Sequence, residues 1–119
     1  ELYDAVEAAH VSLMKAAFPR LEAGTLTATP QDDARATVWP GRTPEDGRLD
    51  PSATVEAADR LVRAVTRPYP GAFLDTDEGR LIVWRAEPWD GQPAPAGVRT
   101  VAFSDGELCA LEWELVQTS

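Results

Sequence analysis

A chain of 119 residues with 44% hydrophobic side chains, ten prolines and eight glycines has enough apolar material for one loop-rich globular domain, and it excludes a disordered or solenoid chain. Twenty acidic against eleven basic side chains leave a formal charge of −9, which repels phosphate backbones and anionic lipid, so nucleic acid and membrane surfaces are poor partners. The single cysteine, Cys109, excludes an internal disulfide framework and cannot make a zinc site alone, which fits a reducing, cytoplasmic setting.

The chain opens on ELYDAVEAAH, without the basic start or apolar run of a signal peptide, and no apolar stretch approaches the roughly 18 residues of a membrane span. It begins inside a helical pattern without an initiator methionine, so we expect a piece of a longer protein. Leu2, Val6, Ala9, Leu13, Ala17 and Phe18 recur at helical spacing and predict an amphipathic helix, with Glu1, Asp4 and Glu7 placed where the helix dipole favours negative charge. Pro19 predicts a kink or break, with a further turn through Leu21 and a C-terminal cap at Gly24.

Residues 25–51 carry prolines at 30, 40, 44 and 51 and read as an extended linker. A structureless loop of that length inside a compact domain is unusual, so a connector lying over a surface is expected. Ser52 is placed to cap a second helix, whose apolar positions Val55, Ala58, Leu61, Val62 and Val65 end near Thr66. The heptapeptide RPYPGAF, Arg67 to Phe73, then forces a corner: its prolines push Arg67 and Tyr69 toward extended backbone, and Gly71 can take positive φ.

Strand-like runs follow at 72–75, 80–86, 98–104 and 107–117. The turns TDEG at 76–79 and SDGE at 104–107 have the acidic residue and glycine of tight hairpins. In the last run Cys109, Leu111, Trp113 and Leu115 alternate with Ala110, Glu112, Glu114 and Val116, predicting one core face and one wet face. The expected class is α+β: an N-terminal helix (1–24), a linker (25–51) and a small antiparallel β-barrel (52–119). The barrel is of the oligonucleotide/oligosaccharide-binding type, with one inserted helix as plug or crossover.

Chemistry-bearing constellations are sparse. His10 lies beside Ala9 and Leu13 with no nucleophile pattern around it, and Cys109 falls on an apolar strand face where a thiol behaves as a small hydrophobe. The pairs Asp32/Asp33, Glu45/Asp46 and Asp77/Glu78 are adjacent in loops, where solvation explains them, and a calcium loop needs more oxygen ligands at regular spacing. Trp84 and Trp113 fit strand core positions, whereas Trp39 and Trp89 stand beside prolines in loops, either as contacts to a neighbouring domain or ligand or as anchors of their own loops. Arg60, Arg63 and Arg67 share a helical face and can meet an anionic ligand or the chain's own carboxylates, the latter being favoured.

Three stretches, LEAGTLTATPQDDARATVWPGRTPEDGRLD, VEAADRLVRAVTRPYPGAF and RLIVWRAE, resemble the linker and C-terminal domain of the formyltransferases that use 10-formyltetrahydrofolate, and the resemblance covers nearly the whole chain. It implies that residues 1–24 are the last helix of an N-terminal catalytic domain otherwise missing from this sequence, that this domain carries the catalytic asparagine, histidine and aspartate and the folate site, and that it is the first expected partner. The chain alone then carries no catalytic residue and no cofactor. Two branches of the family compete, the methionyl-tRNA enzymes and the sugar N-formyltransferases. Three basic against nine acidic residues over 68–119 favour the branch that formylates an amino group on a nucleotide-linked sugar. One departure stands out: many relatives have a tryptophan where this connector has Pro51. Arg42 and Asp46 in the connector and Tyr69 in the corner are the candidate substrate-binding residues, and no metal ligand is expected. A non-catalytic docking or homodimerisation module is the alternative from another functional class.

Overall fold

The computed structural model describes residues 1–93 and 95–117. The chain divides into two units, Glu1–Trp39 and the stretch from Pro40 onward. In the first unit helix α1 spans Leu2–Glu22, and a short 3-10 turn follows at Asp33–Arg35. Helix α1 runs through Pro19 without a break, with Ala23 N–H donating to the Pro19 carbonyl, and Gly24 then adopts φ 72°. A proline deep in a helix costs most where it removes a bond, but here the turn after it is closed by backbone donors from Gly24, Thr25 and Leu26 to Leu21 and Arg20. No residue of α1 is buried. His10 stays on its own helix, its Nδ1 lying 2.8 Å from the Val6 carbonyl.

The second unit holds a 3-10 turn at Pro44–Gly47, helix α2 (Val55–Val65) and four strands, β1 (Ala72–Thr76), β2 (Gly79–Pro88), β3 (Arg99–Phe103) and β4 (Gly106–Val116). The strands form an antiparallel sheet in the order β1-β2-β4-β3, curled into a half-barrel, so the α+β class expected from the sequence holds. Helix α2 precedes the whole sheet instead of interrupting it, and packs chiefly across β2. Both hairpins form at the predicted turns, with Thr76 pairing Gly79 and Phe103 pairing Gly106.

Helix α2 starts two residues later than Ser52 predicts. Thr54 is the cap, its hydroxyl accepting from Ala57 N–H, whereas Ser52 donates through both its N–H and its hydroxyl to Asp50 in a local turn. The second donor that α2 leaves open, Val55 N–H, is taken by the Asp105 carboxylate at 2.8 Å, fifty residues away in the β3–β4 turn. Ser104 completes the tie by donating from its backbone to the Ala53 carbonyl.

The core lies between α2 and one face of the sheet. Val55, Ala58 and Val62 recur at helical spacing and bury against Leu81, Val83, Phe103, Leu108 and Ala110, with Val62 and Val83 wholly inaccessible. The simple alternation predicted for the last strand fails in the middle. Leu108 and Ala110 face the core, and after a register irregularity at Arg85 and Glu112 the core side chains become Trp113 and Leu115. Bulge-like irregularities bend long strands, and this one lets the two longest strands curl without losing core contact on either side.

Segment 47–49 lies inside the predicted linker yet belongs to this core. Leu49 is 3% exposed, its N–H donates to the Phe73 carbonyl at 2.7 Å, and Arg48 pairs with Phe73 as a parallel bridge on the edge of β1. Gly47 is buried so tightly that a Cβ there would lie 2.7 Å from the Gly71 carbonyl oxygen. A methyl group at that position has to displace backbone. Gly47→Ala is therefore expected to destabilise the second unit by about 1–3 kcal/mol in urea unfolding, as overpacked sites do. Gly41→Ala, where a Cβ meets nothing within 4 Å, should leave the midpoint in place.

Candidate functional site

The two sequence motifs singled out above, the RTPEDG connector and the RPYPGAF corner, are brought together by the Gly47–Gly71 contact. Within the connector, Asp46 Oδ2 accepts from Thr43 N–H at 2.6 Å and from the Thr43 hydroxyl at 3.3 Å, which closes the 3-10 turn at its start. The Thr43 backbone donor and then its hydroxyl hold the Asp46 carboxyl below the usual range, and the Arg42 charge adds to this. Asp46 thus has a structural role visible in its bonds. Arg42 is exposed. Tyr69 is about half exposed at the tip of the corner, where its N–H donates to the Thr66 carbonyl.

Beside the connector lies a cluster that the sequence did not single out. Asp75 receives Arg80 Nε at 2.8 Å and Arg48 Nη1 at 2.9 Å, and Arg48 also donates to Glu45. Both guanidinium groups stack on Phe73, 4.1 Å (Arg80) and 4.8 Å (Arg48) from its ring centre. Arg80 and then Arg48 hold the Asp75 carboxyl down at about 2, and hydrogen bonding to Arg48 likewise lowers Glu45. The Arg80–Asp75 half was legible, because a tight turn at TDEG makes residues 75 and 80 cross-strand partners. The Arg48 half depends on where the connector lands, which no local spacing reports.

An open groove of about 400 Å³ runs along this edge, lined by Arg48, Leu49, Asp50, Pro51, Leu74 and Asp75. Leu49, Pro51 and Leu74 give it apolar lining, and Arg48, Asp50 and Asp75 charged lining. The lining carboxylates are already occupied: Asp75 by two arginines, and Asp50 by the Ser52 hydroxyl and N–H, which lower its carboxyl. No polar or charged side chain is buried among the described residues, and no group of three or more His, Cys, Asp or Glu side chains is placed to hold a metal. Burial raises the Cys109 thiol, with Glu87, Asp90 and Glu107 adding to the effect.

On the corner itself, Gly71 packs so closely on Trp84 that a Cβ would come within 2.8 Å of the indole. The Arg67 guanidinium covers the same ring at 4.4 Å and reaches Glu112, which also pairs with Arg85. Arg60 and Arg63 pair with Glu56 and Asp59 on their own helix, so the three arginines meet the chain's own carboxylates. Trp89 is fixed by its indole N–H to the Gln92 carbonyl, whereas Trp39 is 77% exposed.

Residues 42–112 match the family model described as the formyl transferase C-terminal domain. Among solved structures, two multiply substituted variants of HypX from Aquifex aeolicus share the fold at a TM-score of 0.67 and 20% identity. The matches cover 90% and 87% of this chain. In both cases this chain spans only 20% of the HypX chain.

The lowered Asp75 carboxyl carries a pH signature. Its ordinary value is 3.8 and its folded value about 2, so its contribution to stability is fully present above pH 4 and is lost as pH falls toward 2. Unfolding midpoints of the native chain should therefore fall over that interval more steeply than those of Asp75→Asn. Parallel curves would show that the two arginines leave Asp75 no different from a solvated carboxylate.

Proposed function

Because the chain belongs to the formyltransferase C-terminal domain family, we propose that it is the accessory C-terminal module of a 10-formyltetrahydrofolate-dependent N-formyltransferase whose acceptor is an amino sugar nucleotide or a similar small amine. The observation that carries the choice of acceptor is the state of its arginines. Arg48, Arg60, Arg63, Arg67, Arg80, Arg85 and Arg99 each pair with a carboxylate of the same unit. Unpaired Lys and Arg bind a phosphate backbone by displacing the cations condensed on it, and a surface whose guanidinium groups are already paired has little to offer a tRNA.

Arg42 is the exception, the one arginine of this unit without an ion pair among the described residues. It stands in the connector, three residues before Glu45 and beside Asp46, and a free guanidinium there suits the anionic portion of a nucleotide-linked substrate. Asp46 supports it by closing the turn, and Tyr69, about half exposed on the adjoining corner, is the third candidate contact.

The residues present do not fit the folate donor. A pterin requires several buried polar groups with fixed geometry, whereas no polar or charged residue is buried among the described ones and the one buried unpartnered donor, Trp84 Nε1, belongs to a ring that the Arg67 guanidinium covers. We therefore place folate binding and chemistry in the catalytic domain of the parent enzyme, where the acceptor nitrogen would bond to the formyl carbon, the bond from that carbon to the folate N10 would break, and tetrahydrofolate would leave with the proton the amine gives up.

Two measurements test this. The full-length enzyme, supplied with 10-formyltetrahydrofolate and offered a panel of amino sugar nucleotides alongside initiator tRNA, is expected to formylate a small amine, and formylation of tRNA alone would overturn the proposal. In the same enzyme Arg42→Ala should raise KM for the amine with kcat retained, the pattern of lost uniform binding. An unchanged KM removes Arg42 from the substrate site.

A further inference from the structure

We infer that Val38 and Trp39 form an anchor that docks into an apolar pocket on the catalytic domain of the same polypeptide. The inference rests on the formyltransferase reading above, since that reading supplies the catalytic domain. Val38 is 96% exposed and Trp39 77%, the two most exposed of the large hydrophobic side chains described. Trp is the residue most enriched among binding hot spots, and its amphipathic ring gains most when fully desolvated.

The backbone here is prepared for docking. Ala36 is extended, with φ −66° and ψ 141°, and Pro40 restricts Trp39 to extended conformations as well. A segment stiff before it binds loses less conformational freedom on binding, so more of the Trp39 burial is available as affinity.

The rest of the first unit points the same way. Leu13, Phe18 and Leu21 of α1 are each more than half exposed, and no residue of α1 is buried. A helix this apolar and this uncovered belongs against a larger body. That body is not a nucleic acid or an anionic membrane, because the unit carries six carboxylates against three basic side chains. A second copy is disfavoured by the same charge, −9 on each chain. A covering surface in the same polypeptide remains. The HypX match over nine tenths of this chain must extend into the first unit, and it lies within a chain about five times longer.

The test reads Trp39 directly. Tryptophan emission and acrylamide quenching are measured on the 119-residue chain and on the full-length enzyme, each with and without Trp39→Phe, and the Trp39 contribution is taken by difference. In the short chain it should be red-shifted and freely quenched, at every protein concentration. In the full-length enzyme it should be blue-shifted and severalfold less quenched, and Trp39→Asp there should open the 36–43 segment to protease while leaving unfolding of the short chain unchanged. Equal quenching in both proteins overturns the inference, as does shielding that grows with concentration of the short chain, which would identify a second copy as the partner. Shielding without formyl transfer would sink the functional reading and leave the anchor standing.

Discussion

The approach of the Gly47 backbone to the Gly71 carbonyl is the contact on which the second unit is built. It closes the segment containing α2 into a loop, so that the helix is held at both ends before it meets the sheet. Val65, near the end of α2, sits at the same place: its carbonyl accepts from Gly71 N–H, and its side chain borders Gly47. Once the connector is pinned there, Leu49 reaches the core, its N–H meets the Phe73 carbonyl, and Arg48 falls over the Phe73 ring beside Asp75. Close packing permits this because a missing side chain lets two backbones approach; any Cβ prevents it.

The same architecture explains how an acid-rich surface keeps its arginines. Single exposed ion pairs contribute little, since salt and water screen them and long side chains lose freedom in making them. Here several are shared and placed on rings: Arg48 and Arg80 divide Asp75 over Phe73, Arg67 and Arg85 divide Glu112 with Arg67 over Trp84, and Arg99 pairs with Glu78 over Trp113. Each guanidinium gains an aromatic face as well as a carboxylate, and each flat aromatic is shielded from water by the stem above it. The result is a sheet whose arginines are committed internally, with Arg42 of the connector outside these ion pairs among the described residues.

Much of this fold could be read from local pattern. The strand limits and both hairpins follow from β-branched runs and two acidic-glycine turns, and the face of α2 follows from spacing at three and four. Ser52 misled because serine two residues after an aspartate makes an equally good local turn, and Thr54 was left as the cap. The alternation of Cys109 to Leu115 misled because a bulge transfers the core from one residue parity to the other, and nothing in a hydrophobic run marks the residue where that happens. Of the candidate site residues, Asp46 proved to be bonded within its own turn, a partnership implicit in Thr43 lying three residues before it. The Arg48–Asp75–Arg80 cluster went unseen because 27 residues separate Arg48 from its partner.

The elements, the corner, the charge and the family resemblance were all present in the order of residues, because each is a property of neighbours in the chain: periodicity, proline and glycine geometry, and counts of charge. Long-range contacts settled the rest: that the connector is part of the core, that Asp105 caps a helix fifty residues away, and which distant carboxylates Arg48, Arg67 and Arg99 meet. Those outcomes depend on which distant backbones come within 3 Å of one another, and such distances are set by packing the whole unit at once.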